Sequence, residues 1–198
     1  MMTMKTPYSK TDKTIAFLNK QYVKLFRQVM SFDELNVIQV SHEIYNEVLR
    51  LIETEATRLV KSVYNSYRSA TIADEEAHGF VLLLMLAYNP VTKYVYKNEL
   101  DRKRSRFAEG VIASDTPREE IELAKRLVAG MNKQFLDDVT FDTVVKAYED
   151  DGVEEVRWIT ALDDRRCKEC KSRHNKIYPI DKIPPKPHLH CRCYVTRV

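Results

Sequence analysis

The chain has 198 residues, of which 44% are hydrophobic and 31% charged, with a formal net charge of +3. That length admits one sizeable domain plus an appendage, and that composition excludes a chain disordered throughout. Only four glycines are present, too few for a protein built of strands and tight turns, so a mainly α fold is expected.

Helical periodicity begins after Thr11, where Ile15, Leu18, Tyr22, Phe26 and Val29 recur at three- and four-residue steps. Ser31 and Glu34 have the spacing of a capping box for the next segment. Ile44, Val48, Leu51, Ile52, Val60, Val63, Tyr64 and Tyr67 then predict one helix of about 25 residues beginning near Ser41, uninterrupted by Gly or Pro. Residues 80–88 are apolar all round, which predicts a helix buried on every side. Asn89-Pro90 should end it. Residues 94–112 are charge-rich, with a weak stripe at Leu100, Phe107 and Val111. Thr116, Pro117 and Glu119 form a helix-start signal, opening a segment with Leu123, Leu127, Val128 and Met131 on one face. Thr140 is expected to cap a short last helix through Val144, Val145 and Tyr148, stopped at Asp151-Gly152.

Beyond Gly152 the helical period disappears. Val153, Val156, Trp158 and Ile159 suit a strand, and a spacer with Pro184, Pro185 and Pro187 follows. The chain therefore divides into a helical body, 1–152, and a C-terminal Cys/His module, 153–198, with short β-strands. A module so small buries too little apolar surface to fold firmly alone, so a bound ion would supply much of its stability.

All four cysteines, Cys167, Cys170, Cys191 and Cys193, fall in the last 32 residues, with His188 and His190 among them. Thiolates are soft zinc ligands, and a C-x-x-C turn brings two sulfurs to one side. Cys191 and Cys193 lie two apart, which on an extended chain puts both on one face. His188 and Cys191 repeat the two-residue gap. Cys167, Cys170 and Cys191 are the first candidate ligands, with Cys193 slightly ahead of His188 for the fourth position. Four protein ligands make a structural zinc site, since no position is left open for water. No signal peptide is visible in residues 1–20 and no run approaches the roughly 18 apolar residues of a membrane span. The expected compartment is reducing, which favours metal over disulfides. His174 and His190 are expected to face solvent. Asp163, Asp164, Arg165 and Arg166 would serve as outer partners of the ligands or simply as a charged turn.

Residues 157–198 carry eleven basic and four acidic side chains, so the module is basic and the body mildly acidic. Arg157, Lys168, Lys171, Arg173 and Arg192 are the candidate contact residues for DNA or an acidic protein face, and Tyr178 and Tyr194 the candidate aromatic ones. Elsewhere, His42-Glu43 lacks the second histidine of a metalloprotease motif, because position 46 is Asn46. Asp74, Glu75, Glu76 and His78 suit a helix start. No phosphate-binding loop, nucleophile elbow or dinucleotide fingerprint occurs. No enzymatic activity and no small-molecule substrate are expected.

The run R-W-I-T-A-L-D-D-R-R-C-K-E-C, a proline spacer and H-L-H-C-R-C-Y-V resemble the C-terminal signature of the phage head morphogenesis family, the Mu F-like minor head proteins. The matching positions are Trp158, Asp163, Cys167, Cys170, His188, Cys191, Arg192 and Cys193. Asn175 stands near the family's usual glycine, and Leu189 replaces the proline after the histidine. The resemblance covers about 40 residues and the helical body carries no motif of its own. It implies a minor capsid protein of the virion interior, present in the host cytoplasm during assembly. Its implied partners are portal, capsid or scaffold proteins, together with packaged DNA that it contacts or accompanies on ejection. The alternative reading is an intracellular zinc-ribbon DNA-binding regulator.

Overall fold

The computed structural model describes residues 6–29, 37–68, 70–161 and 166–198. Five helices make the body: α1 Tyr8–Val29, α2 Val37–Tyr67, α3 Asp74–Leu86, α4 Tyr96–Ala113 and α5 Pro117–Asp150. A two-stranded hairpin, β1 Tyr88–Asn89 and β2 Tyr94–Val95, links α3 to α4. The C-terminal part adds β3 Glu155–Ile159, α6 Lys168–Arg173, β4 Ile177–Pro179 and β5 Tyr194–Arg197. The fold is mainly α, as the scarcity of glycine implies.

α5 is the axis of the bundle, packed against α1, α2 and α4, while α3 lies on α2. The stripe on α1 buries Leu18, Tyr22 and Phe26. Phe26 meets Tyr45 of α2 and Phe107 of α4 edge-on, with ring centroids 6.2 and 5.8 Å away. Asn132 of α5 lies between two buried tyrosines, accepting from the Tyr96 hydroxyl and donating to that of Tyr22. Those bonds satisfy a polar side chain that would otherwise be costly in the core.

Three expectations change. α2 is 31 residues long and starts at Val37, with Ser41 inside it, its hydroxyl donating to the Ile38 carbonyl at 2.7 Å. α3 is not buried all round: it covers only Ala77, Val81 and Met85. Leu83 and Leu86 are 69% and 60% exposed, because α3 packs on the outside of α2 and one helical stripe suffices for that contact. Residues 117–150 form one helix of 34 residues rather than two. Thr140 lies in its middle, donating to the Leu136 carbonyl at 2.8 Å and sharing a 2.7 Å hydroxyl contact with Thr11. A threonine satisfied this way by the preceding turn, and by a neighbouring helix, does not cap. Leu123 and Leu127 are exposed, and the buried stripe runs instead through Ile121, Ala124, Val128 and Met131. The capping box at Ser31 and Glu34 lies outside the described residues.

α5 ends where expected. Gly152 takes a positive φ of 71°, which glycine adopts without strain, and its N–H donates to the Glu149 carbonyl at 2.9 Å. The reversed chain then forms an antiparallel sheet in the order β4-β3-β5. Val156 and Trp158 of β3 are buried, and the indole lies 5.7 Å from the Phe141 ring of α5. Core residues of both parts join in one continuous cluster.

The seam between the parts also carries charge. Lys186, buried, donates to the Asp137 carbonyl at 2.6 Å and lies 3.4 Å from an Asp138 carboxylate oxygen. Asp142, one turn further along α5, is half-buried, and desolvation pushes its carboxyl up to about 7. Lys186 opposes that rise, whereas Asp138 and Glu149 add to it. A pKa raised in the folded state means stability present at low pH and lost as pH climbs through about 7. Asp142→Asn, which cannot ionise, is therefore expected to match the parent near pH 4 and exceed it by about 2 kcal/mol near pH 8. Urea denaturation at the two pH values measures the difference.

Candidate metal centre

α6 builds the first half of the site. Cys167 precedes the helix in extended geometry, φ −69° and ψ 164°, and its Sγ accepts the Cys170 N–H at 3.2 Å. Cys170 sits in the first turn and is buried. The second half comes from the segment entering β5, where Cys191 and Cys193 are both buried and Arg192 between them is exposed, the alternation an extended chain imposes.

The halves converge on Cys170. Its Sγ lies 3.7 Å from Cys191 Sγ, 3.4 Å from Cys193 Sγ and 3.2 Å from His188 Nε2. Two triads share it, Cys167–Cys170–His188 and Cys170–Cys191–Cys193, and within each triad the donor atoms lie within 4.8 Å of one another. All four cysteines are free. The sulfur separations exceed the roughly 2.05 Å of a disulfide. They approach the edge of about 3.8 Å expected between two sulfurs bound tetrahedrally at about 2.3 Å. The five side chains can hold a metal ion.

Electrostatics favour a cation here. The neighbouring Cys193 thiol brings Cys191 down to about 6, against the effect of burial. Cys193, beside Cys191 and buried, is pushed up, and burial takes Cys170 up to about 12. The Cys170 N–H lowers Cys167. Sulfurs this close cannot all ionise unless positive charge replaces their protons. His188 Nδ1 faces the Leu189 carbonyl at 2.8 Å. That acceptor holds the proton on Nδ1 and leaves the Nε2 lone pair directed at the sulfurs, as in metal-bound histidines. Burial works against protonation of this ring, but the Leu189 carbonyl and the Cys191 and Cys167 sulfurs outweigh it and raise its pKa. The buried Trp158 Nε1 finds no acceptor in hydrogen-bond geometry, yet Cys193 is close enough for the indole to lower its pKa. A thiolate there would meet that N–H.

Other predicted residues take different places. His190 is exposed, and its backbone N–H donates to Gln134 Oε1 at 2.5 Å. His174 is half-buried rather than solvent-facing, its Nδ1 accepting the Thr160 N–H at 3.2 Å. Asp163, Asp164 and Arg165 lie outside the described residues. Arg166 lines a cleft beside Cys170, His188 and Cys193. Of the basic set, Lys168, Lys171 and Arg192 are exposed and Arg157 is half-buried. Arg173 is a packing residue: its guanidinium lies 5.2 Å from the Trp158 ring and donates to the Pro185 carbonyl at 2.6 Å. Tyr178 also packs on Trp158, at 6.3 Å. Lys186 had no sequence signal, being one more lysine in a proline-rich spacer. No family model, curated protein or solved structure matches the chain. Among the described residues no helix is long and apolar enough to cross a membrane.

Titration of the reduced, metal-free protein with cobalt(II) is expected to give thiolate charge-transfer absorption and the visible bands of a tetrahedral ion at one equivalent. Chelation should reverse them and shift Trp158 emission to the red as the module loosens. Octahedral spectra, or none, would count against the site.

Proposed function

We propose that the cluster is a structural zinc site and that the protein is a phage minor head protein. It would act in head morphogenesis near the portal or inner capsid, with the zinc module as a rigid basic contact surface. One observation carries the reading: two cysteine segments, about twenty residues apart and both quoted in the resemblance, meet at Cys170 with metal-like spacing. Zinc is preferred because a cage of cysteines with one histidine suits a borderline-soft, tetrahedral ion. For the fourth ligand we favour His188 over Cys193, since the Leu189 carbonyl already orients the imidazole. Cys193 would then be an outer sulfur beside Trp158. The exposed Lys168, Lys171 and Arg192 would present the basic face to capsid protein or DNA.

The zinc-ribbon regulator remains the second reading, on the strength of the three-stranded sheet whose connecting segments carry the cysteines. α6 spans only Lys168–Arg173, shorter than the helices that read the major groove.

Zinc competition against a chromophoric chelator tests the ligand set. Cys167→Ser, Cys170→Ser, Cys191→Ser and His188→Ala should each weaken zinc binding by about tenfold or more, and Cys193→Ser by markedly less. The reverse order for His188 and Cys193 would reassign the fourth ligand. Cross-linking mass spectrometry on purified heads tests the assignment. Cross-links from Lys168 or Lys171 to portal or capsid support it, and absence of the chain from heads overturns it.

A further inference from the structure

Among the described residues, one side of α5 carries a run of open surface. Three concavities lie end to end there. The first, between α3 and α5, is walled by Phe80, Leu83, Leu84 and Val145. The second, a narrow one of about 150 Å³, lies under the β1–β2 hairpin between Tyr88, Phe135 and Lys186. The third, between α4 and the first half of α5, is floored by Leu127, Gly130 and Met131 and edged by Leu189. Leu84 and Asp142 belong to both the first and the second, and Tyr94 and Gln134 to both the second and the third. Leu127, Gln134, Asp138, Asp142, Val145 and Glu149 follow one another at helical spacing, so the three form one groove. From Leu127 to Glu149 it runs about 33 Å, at 1.5 Å per residue. Leu83 on α3 lines its first part and Leu127 on α5 its third, and both stand exposed, so each end offers an apolar anchor point.

The groove has opposite charge at its two ends. At the Leu127 end Lys93, Arg102, Lys103 and Arg126 face a single carboxylate, Glu99, which already pairs with Arg102 and Lys103. At the other end Glu76, Asp142 and Glu149 face a single cation, Lys146, which already pairs with Glu76 and Asp150. The Glu149 carboxylate and the cations of Lys93 and Arg126 enter no hydrogen bond or ion pair among the described residues.

We propose that this groove seats one amphipathic helix of a partner protein. Its apolar stripe would lie on α5, with basic residues over Asp142 and Glu149 and acidic residues over Arg126 and Lys93. An apolar groove of this length is the usual seat for a helix read through anchors at three- and four-residue spacing. The unpaired charges fix which end of the helix goes where. Nucleic acid does not suit the site, because its phosphates would meet carboxylates over half the length. Nor does a second copy, because two concave grooves cannot fill one another. The inference is independent of the zinc site and of the head-protein reading.

The test uses the full chain, loaded with zinc, and three fluorescent helical peptides of about 22 residues, matched to the groove's length. All share one leucine stripe. One has glutamates in its first turn and lysines in its last, one has lysines at both ends, and one has glutamates at both ends. By fluorescence anisotropy the mixed peptide is expected to bind about tenfold tighter than either control. Leu83→Glu and Leu127→Glu, both at exposed positions, should each reduce its binding about tenfold with the thermal melt unchanged. Equal binding of the three peptides, no binding of any, or binding untouched by both variants would overturn the proposal. So would a dimer in sedimentation that Leu83→Glu disperses, since that would make the occupant a second copy.

Discussion

Burial of Trp158 ties this molecule together. Its ring is packed by Phe141 of α5, Tyr178 of β4 and the Arg173 guanidinium of α6, while Cys193 lies close to its indole. Removing so large a side chain from water stabilises by a few kcal/mol, and here the gain is shared by the helical body and the cysteine segments. A small sheet that could not hold its own core borrows one from α5. The Tyr8 hydroxyl, donating to the Cys193 carbonyl at 2.7 Å, and Arg197, reaching the Tyr67 carbonyl and Asp151, fasten the same seam from α1 and α2.

Within that frame the sulfur cluster has an unusual charge problem. Cys170 has two sulfurs and an imidazole nitrogen within 3.7 Å. Protons neutralise such a group one sulfur at a time, and the close sulfurs displace Cys191 and Cys193 in opposite directions. A divalent cation does the same with directional bonds to all its ligands at once, and so converts a crowded corner into a fixed one. The reading as a zinc site rests on this chemistry, and the reading as a head protein rests on the resemblance that shares its residues.

Much of the architecture was legible in the chain because it obeys local rules. The stripes of α1 and α2, the buried face of α4 at Leu100, Phe107 and Val111, the stop at Gly152 and the strand at Val156 and Trp158 all follow from periodicity or backbone chemistry. The convergence of Cys167, Cys170, His188, Cys191 and Cys193 was legible for the same reason: their spacing encodes it. Where tertiary contacts decide, the local signal misled. Thr140 has a capping residue's chemistry, but its partner is Thr11, far away in sequence. The apolar run of α3 reads as interior, although only the side that meets α2 is covered. Arg173 was expected to contact a partner and Lys186 carried no signal, because their roles depend on Asp137, Asp138 and Trp158 brought close by folding.

The hydrogen bond from Tyr8 to Cys193 spans 185 positions of the chain, and the strand that completes the sheet is made close behind it. Contacts of such separation close large loops and tend to slow folding. During synthesis α1 and α5 are complete before Cys191 emerges, so the part of α5 that β5 covers must wait, uncovered, for that strand. Handling of that interval, by early capture of the ion or by a helper that shields the waiting surface, would govern how much of the newly made chain reaches its finished form.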